Sequence, residues 1–306
     1  MTLPHLTGSV PYIGDGGIET SLIFLQGIDL PDFAAFPLLD TDDGRAALTT
    51  YYEPYFEIAE RFGVGFVVDT PTWRASLDWG SRLGYDPDSL VGINRRAVGF
   101  VADLARDRTV PVVVNGVIGP RGDGYAVTSA MTAAEAASYH ALQARALADA
   151  GVDLVTAVTM TYSNEAIGVV RAVAATGVPV AISFTTETDG RLPSGEDLGA
   201  AIESVDDATD GAAAYFNVNC AHPTHFAGAL RAGESWTSRV KGVRVNASTS
   251  SHAELDEAEE LDRGDIAALA RHCADLRELH DLRLVGGCCG TDTEHLDAIA
   301  ATIASS

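Results

Sequence analysis

Lysine is almost missing from this chain. Lys241 is the single one, and 20 basic against 43 acidic residues leave a formal charge of −23 at pH 7. A surface so acidic repels nucleic acid and anionic membranes, which recruit proteins through basic patches. Long apolar runs are missing as well: no stretch reaches the roughly 18 residues that a membrane-spanning helix needs. The N-terminal MTLPHLTGSVPYIGDGG lacks a basic segment followed by an apolar one, so no signal peptide is expected. Cysteine is scarce. Four in 306 residues (220, 273, 288 and 289) exclude a disulfide-built secreted scaffold and point to a reducing, cytoplasmic compartment. No Pro- or Ser-rich linker divides the chain, and 46% hydrophobic content is ample for a core, so residues 1–306 are read as a single domain. The acidic balance would also suit high-salt adaptation, and composition does not choose between these origins.

What is present is an alternation. Short β-branched runs recur at 10–14, 64–69, 110–116, 152–158, 178–184, 213–219, 240–246 and 282–287, separated by Ala-rich segments of helical length such as 133–151 and 266–280. Gly151 is placed to cap the first of these helices. Apolar strands alternating with amphipathic helices imply a parallel sheet with helices outside it. Eight such units in about 300 residues predict an α/β (β/α)8 TIM barrel, with an open doubly wound sheet as the alternative. In a barrel the chemistry sits just beyond each strand. The runs there end in Asp15-Gly16-Gly17, Asp69-Thr70, Asn115-Gly116, Asn219-Cys220, Asn246 and Gly287-Cys288-Cys289-Gly290.

Strands six and eight would thus bring Cys220 to Cys288 and Cys289 on one rim. Three thiolates with one open position make a catalytic zinc site, and soft sulfur donors select Zn2+ over calcium or magnesium. Gly286, Gly287 and Gly290 are expected to supply the sharp backbone bend that neighbouring ligands require. Cys273 lies within a helical pattern and is read as packing. His222 and His225 follow Cys220 as rival ligands, although a loop or cap role is the ordinary one for such histidines.

The stretches GDGGIET (14–20), NGVIGP (115–120), SFTTETDGRLPSGEDL (183–198), VNC (218–220) and VGGCCGTDTEHL (285–296) resemble the homocysteine S-methyltransferase family over nearly the whole chain. That family includes the betaine–homocysteine methyltransferases and the homocysteine module of cobalamin-dependent methionine synthase. The resemblance implies a zinc-bearing barrel that methylates a thiol, usually that of homocysteine, to give methionine. By the same resemblance Asp15 would help hold the amino group of an amino-acid acceptor. Asn219 and Asn246 are expected to orient ligands or contact substrate. The cysteines serve as ligands, and no catalytic acid, base or nucleophile is assigned.

Two departures stand out. Val158 falls where the family carries a glutamate that binds the acceptor's amino group. Asp69 is the first substitute by position, with Glu19, Thr159 and Glu187 behind it. Arg74 falls where a tyrosine or glutamine commonly sits, which disfavours a cationic donor such as betaine and suits a carboxylate or folate tail, while neighbouring Trp73 still offers a ring. The expected partners are a small thiol acceptor and a small methyl donor (S-methylmethionine, a folate or similar), with no nucleic acid and no membrane. A homo-oligomer is left open. A corrinoid partner protein is left open too, since a chain ending at Ser306 is expected to carry no cobalamin or folate module of its own, but nothing in the sequence supports one. The alternatives are a demethylase acting on a different donor or acceptor, and a barrel that binds zinc and thiols without catalysis.

Overall fold

The computed structural model of the protein describes residues 3–230, 234–258 and 260–304. Eight parallel strands close into a barrel in chain order. They are β1 (Tyr12–Ile13), β2 (Gly65–Asp69), β3 (Val112–Ile118), β4 (Leu154–Met160), β5 (Val180–Thr185), β6 (Tyr215–Ala221), β7 (Val240–Val245) and β8 (Leu284–Gly287). β8 closes on β1 through the pairs Tyr12↔Leu284 and Ile13↔Val285. The closed ring decides between the two architectures in favour of the (β/α)8 barrel.

All eight expected strands are present, most of them starting about two residues late. Proline explains three of the delays. β1, β3 and β5 begin immediately after Pro11, Pro111 and Pro179, which have no N–H to give to a ladder. Their carbonyls still accept, from Gly65, Phe66 and Val155. The helix expected at 133–151 spans Ala133–Asp149, opened by a capping box between Thr132 and Glu135. Gly151 follows it at φ +92°, the left-handed position of a helix stop. The helix expected at 266–280 is Ile266–His280, and Cys273 is fully buried on its inner face.

The main core lies between strands and outer helices, and a smaller one fills the N-terminal end inside the barrel. That inner cluster contains Leu3, Tyr12, Val67, Val113, Leu154, Ala181, Tyr215 and Leu284. The turn Pro4–Thr7 plugs the opening below it with His5, whose ring packs 5.7 Å from Tyr12 and 5.2 Å from Tyr215. Neither His5 nitrogen has a hydrogen-bond partner among the described residues. Burial pulls its pKa down to about 4. Among the described residues, no helix is long and apolar enough to cross a membrane.

Candidate active site

Two strands break register as they reach the C-terminal mouth: β4 between Ala157 and Met160, and β6 between Asn219 and Ala221. At these breaks Thr159 (φ +63°) and Cys220 (φ +52°) take left-handed backbone, which costs a non-glycine residue about 1–3 kcal/mol. Asn219 couples the two breaks. Its Oδ1 accepts the Thr159 N–H and its Nδ2 donates to Thr159 Oγ1, both at 3.0 Å. The irregular β6 turns Cys220 toward the end of β8. There Cys288 continues the β7 ladder by donating its N–H to Val245, and Ala247 donates back to Cys289. Of the three glycines around the pair, only Gly290 uses left-handed backbone (φ +78°). Gly286 is small for another reason: a Cβ there would stand 3.2 Å from the Cα of Gly14 in the loop after β1.

The ligand atoms of Cys220, Cys288 and Cys289 lie within 4.8 Å of one another. Cys220 and Cys288 are joined as a disulfide and Cys289 is a free thiol, where the sequence reading expected three free thiols. The two pictures share one geometry. A metal needs all three as thiolates, so the joined pair must be reduced before the trio can ligate. Chemically the set fits zinc: three soft donors converge, and the lining of the cavity above them includes Cys220, Cys288 and Cys289. Burial raises the Cys289 thiol to about 11, against a hydrogen bond from Tyr125, whose hydroxyl lies 3.6 Å from the sulfur. His222 is not part of the cluster. It caps the short helix Pro223–Phe226, its Nδ1 2.8 Å from Thr224 Oγ1, and its ring faces His225 and His272.

The cavity over the sulfurs is small, about 80 Å3. Its floor is a buried charge triad. Arg244, on β7, pairs through Nη2 with Asp15 and through Nη1 with Asp69 Oδ2 at 2.7 Å. Asp69 also accepts from Asn115 Nδ2 at 2.8 Å, and Thr156 steadies Asn115 from behind. Asn115 therefore lies inside β3 at the level of the triad, not at the strand's end. Burial raises Asp15 to about 7 against the pull of Arg244, with the like charge of Asp69 adding to the rise. Burial opposes the charge on Arg244, but its two carboxylates hold that charge in place. Tyr51 and Tyr52, on the helix Asp42–Phe62, donate to the carbonyls of Gly16 (2.9 Å) and Asp69 (2.8 Å). Val158 lines the cavity as an apolar wall.

A second chamber opens beside the first, and Thr20, Phe33, Trp73, Tyr125 and Cys289 line both. Arg74 lines the second chamber only. Its guanidinium lies 4.0 Å from the Trp73 ring and 3.6 Å from the Trp79 ring, and donates to the Gly122 carbonyl. Burial lowers its pKa to about 10. Asn246 also faces this chamber, buried, with an Oδ1 that has no partner among the described residues. Tyr125 stacks on His252 at 4.2 Å to form a further wall.

Of the residues singled out from sequence, Asp15, Asp69, Trp73, Asn219 and the three cysteines line one cavity, and Arg74 and Asn246 line its neighbour. Arg244 and Tyr125 went unnoticed. An arginine within the apolar run VKGVRVN was a signal, because a charge on a buried strand needs a partner. Tyr125 sits in a long irregular loop, where nothing in the pattern marks it.

A family model described as homocysteine S-methyltransferase matches residues 12–303. The chain is 27% identical to a methionine synthase from Mycobacterium leprae over 95% of its own length, but spans about a quarter (24%) of that relative. Among solved structures it resembles the homocysteine methyltransferase MmuM from Escherichia coli. The oxidized form gives a TM-score of 0.77 at 20% identity and the metallated form 0.76 at 19%, each comparison covering 96% of both chains. With its match running from the first strand to the last helix, the chain belongs to the homocysteine S-methyltransferase family.

Proposed function

We propose that the protein is a zinc-dependent S-methyltransferase that moves a methyl group from a small methylated donor to the thiol of homocysteine or a close relative, giving methionine or its analogue. The observation that carries this reading is the convergence of Cys220, Cys288 and Cys289 within 4.8 Å at the mouth of the barrel. Zinc held there would keep an acceptor thiol ionised at neutral pH, where a free thiol of pKa near 8.5 is only a few per cent thiolate.

The chain's own residues supply the remainder. Asn219 fixes the left-handed turn that aims Cys220. The triad of Asp15, Arg244 and Asp69 gives the acceptor a charged but nearly balanced floor. The second chamber is suited to a donor, because it meets the first at Cys289 and so aims its contents at the acceptor sulfur. Arg74, set between two indole rings with its Nε lacking a partner among the described residues, favours an anionic group on the donor, and Asn246 Oδ1, likewise without a partner among them, favours a hydrogen-bond-donating one.

The test is metal analysis followed by turnover. Reduced protein should take up one zinc per chain and form methionine from homocysteine with at least one donor among S-methylmethionine, a methylated folate and betaine. A Cys288→Ala protein that kept full zinc and full turnover would end the proposal.

A further inference from the structure

The resemblance leads one to expect a carboxylate at position 158 for the acceptor's ammonium, and Val158 puts a hydrocarbon wall there. Asp15, Asp69 and Glu19 are the carboxylates in the same cavity lining. Two of these are already engaged: Asp15 and Asp69 share Arg244, and Asp69 also takes a hydrogen bond from Asn115. Glu19 enters no ion pair among the described residues. It stands on the short helix Ile18–Thr20, just past Gly17, whose backbone lies against the Cys288 carbonyl. This carboxylate is therefore anchored beside the sulfur trio and faces the same space.

We propose that Glu19 binds the α-ammonium group of the acceptor, so that the acceptor is a thiol α-amino acid gripped from the β1 loop and not from β4. The inference rests on the thiol-acceptor reading of the site. Electrostatics agree with the geometry. Burial raises the Glu19 pKa to about 7, with Asp15 adding to the rise and Arg74 and Arg244 opposing it. Glu19 is half-buried, and a carboxylate partly withdrawn from water gains from an arriving cation through a charge-assisted hydrogen bond. Acceptor geometry is compatible: only four bonds separate the sulfur of homocysteine from its nitrogen, so a molecule tethered at the trio must place its ammonium close by. Val158 then packs against the acceptor's methylenes, which gain nothing from a charge opposite them.

The experiment compares two thiols that differ only in the amino group. Zinc-loaded full-length protein is titrated calorimetrically with homocysteine and with 4-mercaptobutanoate, with zinc content measured on each sample. The wild type should bind homocysteine about ten- to a hundredfold tighter. Glu19→Gln should erase that margin by weakening homocysteine alone, with 4-mercaptobutanoate affinity and zinc content unchanged. The proposal is overturned by a wild type that does not distinguish the two thiols. It is equally overturned by a Glu19→Gln protein that keeps the margin, or that weakens both thiols alike, which would mark a structural role. Turnover plays no part in this readout, so failure of the methyltransferase reading shows separately, as thiol binding without methyl transfer.

Discussion

The two ends of the barrel solve opposite problems with the same eight strands. At the N-terminal end, aliphatic side chains and two tyrosine rings close over a histidine that has no hydrogen-bond partner among the described residues. At the C-terminal end, three sulfurs, three carboxylates and an arginine crowd a cavity of about 80 Å3. Backbone geometry follows the same division. Near the mouth, β4 and β6 break register and hold Thr159 and Cys220 in left-handed backbone; toward the closed end β6 also shifts register against β7 between Phe216 and Asn217, without left-handed backbone, and β1 pairs regularly with β8. Left-handed strand backbone, among the described residues, is thus found where side chains are re-aimed at the mouth, which is where strain is tolerated if neighbours over-determine it.

Breaking the charge triad should give the largest effect on that contrast. Arg244→Leu strands two buried carboxylates against each other, and chemical denaturation should register a loss of about 3–5 kcal/mol. Next comes acidity. His5 is buried neutral, with a folded pKa of about 4 against 6.5 unfolded, so the native state binds fewer protons between those values. Stability should therefore fall as pH drops from 6.5 toward 4, by up to about 3 kcal/mol. At the mouth the sign reverses. Asp15, raised to about 7, lets the native state bind more protons than the unfolded one, so its contribution weakens as pH rises from about 4 to 7. Thermal melts across this range on wild type and His5→Leu separate the two slopes: the variant should lose the acid-side decline and keep the other.

Asn219→Ala comes third. It frees both left-handed turns, and zinc affinity measured by chelator competition should drop about ten- to a hundredfold, as when the support of a metal ligand is removed. The smallest effect is expected at the closed end. At pH 7.5, His5→Leu removes two nitrogens that have no hydrogen-bond partner among the described residues and leaves a side chain of similar size, so stability should change by less than about 1 kcal/mol, with zinc content and turnover intact. A large loss from His5→Leu, or none from Asn219→Ala, would blur the division between the two ends.

The pattern of residues carried the strands and the closed barrel well, because these depend on local period and turn chemistry; the histidine plug of the closed end was not foreseen. Eight apolar runs sufficed for the ring, and VNC with GGCCG for the sulfurs. The mouth was legible only in part. Asp69 has the position expected of a substrate-facing acid, but its partner Arg244 lies 175 residues away in sequence, and no local period links them. The left-handed Cys220 carries no glycine to announce it. Its conformation comes from the register shift and from Asn219, a tertiary arrangement. Arg74 is expected from sequence to offer a charge to a ligand; two indole faces and the Gly122 carbonyl fix its guanidinium, a tertiary arrangement, and leave its Nε without a partner among the described residues.

Tyr51 and Tyr52 have a consequence of their own. Adjacent on one outer helix, they reach the carbonyl of Gly16 after β1 and that of Asp69 at the end of β2. Both acids that flank Arg244 are thereby moored to a single rod. One helix thus sets the backbone positions from which both carboxylates reach the arginine, so the spacing of the acids is fixed from outside the barrel as well as by the strands themselves.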